Sequence, residues 1–317
     1  MIKQIKKLLK SKPSSFIAYA KSHKGSRQEN QDNYLIIQKE QNQVIAQFLK
    51  DEKPTSQALS NWPDNITRIA VADGMGGHAN GRQIAEELVH ELIQLPPQNT
   101  PETMRQHINA IHQQLYDHYH LPHDDKSPGT TLIMADIHHQ TEQAVLINVG
   151  DSRAYLIQPR RFTQKLPMIR QLTKDHSFAE FAWRDGEIDH TTYANNLNAR
   201  QTRLAQAVGF GSRGLLKDDE GFKPFQPDKG LRIDLVKDLA TELKSHADTF
   251  RITIKSNDTL MLSSDGLWSG ESTGQWFNDH QFRHVTPDLL TKLIDTALQR
   301  NANDNITVVM SGFQKDN

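Results

Sequence analysis

Apolar residues recur along this chain with two different periods. At intervals of three and four they form three stripes. Ile84, Leu88, Leu92 and Leu95 mark a helix from about Asn80 to Leu95, which Pro96-Pro97 ends. Met104, Ile108, Ile111, Leu115 and Tyr119 line a second, opened by Thr100 as N-cap with Pro101 in the first turn. Thr286 and Pro287 repeat that grammar ahead of Leu290, Leu293, Ile294, Ala297 and Leu298. Between the stripes lie short apolar runs of strand type: Ile69–Val71, Thr131–Ile137, Ala144–Val149, Ala154–Ile157, Phe250–Ile254, Thr259–Leu262 and Ile306–Met310.

Several of these runs are joined by links too short for a helical crossover, such as Asn257-Asp258, so antiparallel sheets with helices on their outer faces are expected. Gln38–Asn65 and Ser212–Asp248 fit neither period. They read as inserted loops or small excursions, each too poor in apolar residues for its own core.

Composition narrows the chemistry. In 317 residues, Lys+Arg 37 nearly balance Asp+Glu 38, so bulk charge directs the chain to neither nucleic acid nor acidic lipid. The absence of cysteine excludes disulfides, thiolate metal sites and a cysteine nucleophile. Five lysines alternate with apolar residues over Met1–Lys12, but no continuous apolar region follows. This opening is read as a solvated basic extension, in preference to a helix resting on a membrane. No run reaches the ~18 apolar residues of a membrane span, and the expected location is the cytoplasm.

The informative pattern is where the acids fall. Asp73, Asp151 and Asp265 each follow an apolar strand run, and Asp304 immediately precedes one. A single aspartate there is usually a turn former. Several converging on one cleft would repel one another unless cations neutralised them, and all-oxygen ligands suit Mg²⁺ or Mn²⁺ rather than zinc. A pair of such ions about 3.5–4 Å apart activates water and stabilises the oxygens of an in-line phosphoryl displacement. Gly74 and Gly266 beside two of the acids allow close backbone approach, and Gly74 could offer its carbonyl oxygen.

Seven segments then occur in a recognisable order: Arg27-Gln28-Glu29-Asn30-Gln31-Asp32, Val71-Ala72-Asp73-Gly74-Met75-Gly76-Gly77-His78, Gly129-Thr130-Thr131, Gly150-Asp151-Ser152-Arg153, Leu172-Thr173-Lys174-Asp175-His176-Ser177, Ser264-Asp265-Gly266-Leu267 and Asp304-Asn305-Ile306-Thr307-Val308. In this the chain resembles the PP2C-type (PPM) metal-dependent serine/threonine protein phosphatases in their bacterial form. The resemblance implies an α+β fold, a four-layer α-β-β-α sandwich of two antiparallel sheets flanked by helices. A single phosphatase domain would then span 13–317, with insertions at about 38–65 and 212–248 and a mobile flap at about 177–209. Asp73, Asp265, Asp304 and the Gly74 carbonyl would hold two core Mn²⁺ or Mg²⁺ ions. Asp32 would assist directly or through water, and Asp151 with Asp265 would take a third, looser ion. Arg27 would grip the substrate phosphate, as its planar fork suits. Asp151 has a blander reading, as a turn residue in contact with Arg153.

The same resemblance implies phosphoprotein substrates and a cognate Ser/Thr kinase. Met75 stands where many eukaryotic relatives carry a histidine proposed as general acid, so the acid is unassigned, and His78 is read as structural. His118, His120 and His123 are read as a solvated loop rather than a zinc site, and Asp175-His176-Ser177 as flap support rather than a triad. Two rival functions stay open: a phosphatase of small phosphoesters or nucleotides, and a catalytically dead binding module.

Overall fold

The computed structural model describes residues 16–76, 80–120, 127–158, 167–198, 203–213, 215–218, 221–224, 228–233, 246–268 and 285–313. In chain order the first strands are β1 (Phe16–His23), β2 (Asp32–Glu40), β3 (Gln43–Lys50), β4 (Lys53–Leu59) and β5 (Ile66–Met75). Helices α1 (Asn80–Gln94) and α2 (Pro101–Tyr119) follow. Next come β6 (Gly129–Thr130), β7 (Leu132–His138), β8 (Gln143–Val149), β9 (Arg153–Gln158) and β10 (Met168–Gln171). Helices α3 (Phe178–Arg184) and α4 (His190–Asn198) precede two small pairs, β11 (Gln206–Ala207) with β12 (Gly211–Ser212) and β13 (Leu215–Asp218) with β14 (Gly221–Pro224). The chain closes through β15 (Thr249–Thr253), β16 (Thr259–Ser263), α5 (Pro287–Gln299) and β17 (Ile306–Phe313).

Two antiparallel sheets carry the fold. One has the order β15-β8-β7-β5-β2-β3-β4, with β6 paired to β5; the other runs β1-β17-β16-β9-β10. The period of two along each strand sorts side chains into three apolar layers. Leu35 and Ile37 of β2, with Ala70 and Ala72 of β5, meet Ile84, Leu88 and Leu92 of α1 and Met104 and Ile108 of α2. The alternate residues Tyr34, Ile36, Ile69 and Val71 face Ala154, Leu260, Leu262 and Val309 of the second sheet. On that sheet's outer face Met261, Val308 and Met310 pack against Leu290, Leu293 and Ile294 of α5. Helix, sheet, sheet and helix stack as the sequence predicts. Thr100 and Thr286 cap α2 and α5 by accepting the Thr103 and Leu289 amides.

The stretch expected as a loop over Gln38–Asn65 is instead the β3–β4 hairpin, which extends the first sheet through β2. Val44 and Ala46 of β3 alternate toward the α1 layer and Leu49 is buried between the two sheets, while β4 has no fully buried residue and tolerates Pro54 because it is an edge. Asp51 and Glu52 turn the hairpin, both with positive φ, 49° and 60°. Two such residues between paired Lys50 and Lys53 make a type I′ turn, here without the Asn-Gly that usually announces it. β1 and β2 also lie outside the expected strand list. Within Ser212–Asp248 the described residues include the β13–β14 hairpin; 214, 219–220, 225–227 and 234–245 are outside the description, as is the basic extension Met1–Lys12.

One buried charge pair fastens α1 to the sheet. Arg68 of β5 and Asp136 of β7 are both fully buried. Arg68 donates Nε and Nη2 to the two Asp136 oxygens at 2.6 Å each, Nη1 to the Leu92 and Leu95 carbonyls, and Nη2 also to Pro96. All five guanidinium donors are used, and three of the acceptors are carbonyls at the C-terminal end of α1. The Gln98 amide supplies Asp136 with a further donor.

Candidate active site

Six strand ends bring the predicted acids to one end of the sandwich. Asp32 opens β2 and stands directly across from Asp73 of β5. Asp151 lies in the turn between β8 and β9, Asp265 opens a short 3₁₀ turn after β16, and Asp304 sits two residues before β17. A cleft of about 840 Å³ is lined by Arg27, Asp73, Gly74, Asp151, Asp265 and Asp304, among others. Glu29 also borders it, and Arg27 is the single cationic side chain among the described lining residues. All seven predicted site residues therefore converge here, with Asp32 just beneath the lining.

Short polar neighbours fix the backbone on which these acids ride. The Asp73 amide donates to Thr131 Oγ1 at 3.0 Å, and that hydroxyl is 2.7 Å from Ser152 Oγ beside Asp151. Ser264 Oγ donates to Asp32 Oδ2 at 2.7 Å and accepts the Thr307 amide. Asn305 Oδ1 accepts the Gln31 amide while its Nδ2 donates to the Lys24 and Glu29 carbonyls, so it stitches the loop carrying Arg27 to the segment carrying Asp304. Arg27 Nη2 then meets Asp304 Oδ2 at 2.6 Å. Gly74 cannot be replaced without displacement: a Cβ there would lie 2.2 Å from the Gly81 carbonyl oxygen and 2.7 Å from that of Gln31.

The electrostatics are unbalanced. Burial, then the neighbouring Asp265 and Asp304 charges, push Asp32 up to about 7 against the opposing Ser264 and Thr307 hydroxyls. Burial and Asp304 push Asp265 up to about 6, although its Asp73 hydrogen bond and Arg27 pull the other way. Asp73 and Asp151 are both driven well above the usual carboxylate range, by burial first and then by other carboxylates. Asp32 Oδ1 is buried with no hydrogen bond of good geometry. Among the described residues no three such side chains are already drawn into a closed ligand shell. Closing one would require side-chain rotations toward a cation, which the mutual repulsion of these carboxylates favours. An all-oxygen donor set, an orphaned buried carboxylate oxygen and a glycine held at close approach fit hard divalent ions.

Several alternatives find other partners. Arg153 is bidentate on Asp175, at 2.8 and 2.7 Å, and stacks on Trp268, so its fork is engaged by Asp175 while its charge still eases that of Asp151. His176 is fully buried, and Ser177 caps α3 by accepting the Glu180 amide, which leaves no triad. His120 stacks on Tyr116 and His118 packs edge-on against Tyr119; His78 and His123 lie outside the described residues. Met75 borders the cleft. Thr131, Ser264 and Asn305 escaped sequence reasoning as functional residues, although all three fall within the quoted motifs.

With this geometry in place, comparison with known proteins is direct. The family model for Protein phosphatase 2C matches residues 42–181. That match begins one residue before β3 and so takes in the β3–β4 hairpin expected as an insertion. A serine/threonine phosphatase Stp from Listeria welshimeri is 28% identical over 256 residues, covering 78% of this chain and 84% of that one. Protein phosphatase PhpP of Streptococcus pneumoniae is 27% identical over 262 residues, 79% and 87% of the two chains. Among solved structures, Stp1 from Staphylococcus aureus superposes with a TM-score of 0.61 at 22% identity over 96% of this chain and 97% of that one. The catalytic domain of PstP, solved with two manganese ions, gives 0.57 at 20% identity over 94% and 98%. Motif order, a sandwich with acids at its strand ends, and these likenesses agree: residues 42–181 match the Protein phosphatase 2C family model, and the chain as a whole is similar to bacterial serine/threonine phosphatases of that type.

Proposed function

We propose that the chain removes phosphate from phosphoserine and phosphothreonine on proteins, using two divalent cations held by Asp73, Asp265, Asp304 and the Gly74 carbonyl. The observation that carries this reading is the cleft itself, where aspartates from separate strand ends face a single arginine. The two manganese ions in the PstP structure support the metal count. Asp151 and Asp265 would share a third ion. Divalent cations bound here would activate water and stabilise the oxygens of an in-line phosphoryl displacement.

The chain's own residues orient and balance charge. Arg27 stands beside Asp304, where its fork can take two phosphate oxygens once Asp304 turns to a cation. Asp32, held by Ser264 beneath the cluster, can accept a hydrogen bond from a water and orient it. A kinase that installs the phosphate would be the natural counterpart.

The test is release of phosphate from a phosphothreonine peptide with Mn²⁺, with Mg²⁺ and with EDTA, beside Asp265→Asn. Release that depends on metal and disappears in the variant is expected. Metal binding without release from the peptide, but with turnover of nucleotides or p-nitrophenyl phosphate, would replace this reading with a small-phosphoester phosphatase. No release from any of them would leave a binding module.

A further inference from the structure

The turn that presents Asp151 is gripped by a buried side-chain relay that no part of the proposed chemistry uses. Gly150, the residue before Asp151, has φ +108°, a conformation glycine adopts freely, and a Cβ there would press on Thr131 at 2.7 Å. His176 holds it on both sides: its backbone amide donates to the Gly150 carbonyl at 2.9 Å, and its Nδ1 receives the Gly150 amide at 3.1 Å. The Gln206 Nε2 amide group lies 2.7 Å from the same Nδ1. A backbone N–H can only donate, so Nδ1 is bare and the ring proton sits on Nε2, facing Asp248 Oδ1 at 2.9 Å. Asp248, nearly fully buried, takes both Nη atoms of Arg184 at 3.0 Å, and its own carbonyl accepts the Asn148 amide from the end of β8. Burial works against the Asp248 charge, but His176 and Arg184 hold its carboxyl well below the usual range.

The relay is therefore complete: an arginine of α3 neutralises Asp248, Asp248 fixes the tautomer and orientation of His176, and His176 fixes Gly150. Its imidazole is fully buried and does not border the cleft, so it does not touch a reacting group. We infer that His176, oriented by Asp248 and Arg184, is a positioning residue that sets the Asp151 carboxylate for a divalent cation. This rests on the metal-centre reading above. A relay beneath a metal ligand acts on affinity more than on chemistry, and loss of such a partner weakens metal binding about 10–100-fold.

The experiment is calorimetric Mn²⁺ titration of the full chain without substrate, for wild type, His176→Gln, Asp151→Asn and the double variant, with Arg184→Lys as a milder perturbation at the far end of the relay. His176→Gln should weaken the loosest Mn²⁺ site about 10-fold or more while leaving the tighter sites near their wild-type values. In the Asp151→Asn background the same change should have no further effect, because both act through one carboxylate. Unchanged Mn²⁺ binding in His176→Gln overturns the inference. So does an equal loss with and without Asp151, which would mark the relay as general structural support. If His176→Gln does not fold, Arg184→Lys is read by the same criteria in both backgrounds. Wild-type Mn²⁺ binding without phosphate release would overturn the phosphatase reading alone and leave this one standing.

Discussion

Two of the places where this molecule buries aspartates resolve the cost of doing so in opposite ways. At Asp136 the chain supplies its own counter-charge: Arg68 spends every donor on Asp136 and on the last carbonyls of α1, and nothing is left over. At the cleft, Asp73, Asp151, Asp265 and Asp304 line the open surface with Arg27 as the single cationic side chain among the described lining residues, and Asp32 lies just beneath them. The first arrangement is closed and structural. The second is incomplete as a set of protein groups, and an external cation would complete it. What separates a structural charge from a functional one here is thus not burial but whether the fold satisfies it.

The contrast can be broken from either side. Arg68→Ala should be the most damaging change, because it strands Asp136 and uncaps α1; a loss of about 3–5 kcal/mol in chemical denaturation is expected. Activity per folded molecule should remain. Asp73→Asn should do the reverse. It removes a charge the cation-free fold tolerates poorly, so the EDTA-treated protein should melt no lower than wild type, while peptide dephosphorylation falls at least about 100-fold, roughly 3 kcal/mol of barrier. If Asp73→Asn instead destabilises the cation-free protein as Arg68→Ala does, the distinction fails.

A third effect is smaller and set by pH. Asp32 and Asp265 have folded-state values near 7 and 6, above the usual carboxylate range near 4. Between about pH 4 and 7 the cation-free folded chain therefore holds more protons than the unfolded chain, and its stability falls as pH rises through that window. Melting in EDTA should occur at higher temperature at pH 5.5 than at pH 8. Saturating Mn²⁺ should remove or reverse that difference, since cations replace the protons. The smallest effect belongs to Arg27→Lys. Its pair with Asp304 is solvent-exposed and adds little stability, so melting should not move, whereas KM for phosphopeptide should rise about 10-fold with the loss of the planar fork.

Most of the candidate site was legible because Asp73, Asp151, Asp265 and Asp304 each abut a run of apolar residues, and a strand end is a place where local sequence predicts position; Arg27 and Asp32 were legible only through the motif they share with a known family. Its supports were harder to read. Thr131, Ser264 and Asn305 are short polar residues of the kind found in any turn, and their roles depend on partners such as Asp32, 232 residues from Ser264. His176 and Asp248 are 72 residues apart, with no periodic signal between them. In the fold, the α1, α2 and α5 stripes and the central strands followed from periodicity. The β3–β4 hairpin did not, since β4 is an edge strand without an apolar face and Asp51-Glu52 is an unusual pair for its turn.

The second sheet orders its strands β1-β17-β16, so Phe16 lies opposite Phe313 and the earliest strand pairs with the latest. On a ribosome, β17 is the last of these strands to emerge, and β1 has no neighbour in its sheet until then. Asp304 precedes β17, and Arg27 follows β1. Vectorial synthesis would therefore leave the charge cluster unassembled until β17 emerges, and a nascent chain stalled before Ile306 should bind no Mn²⁺ at this centre. Because the paired strands set Phe16 beside Phe313, a permuted gene joining β17 to β1 and opening the Asp51-Glu52 turn would change the order in which the acids arrive without changing where they meet.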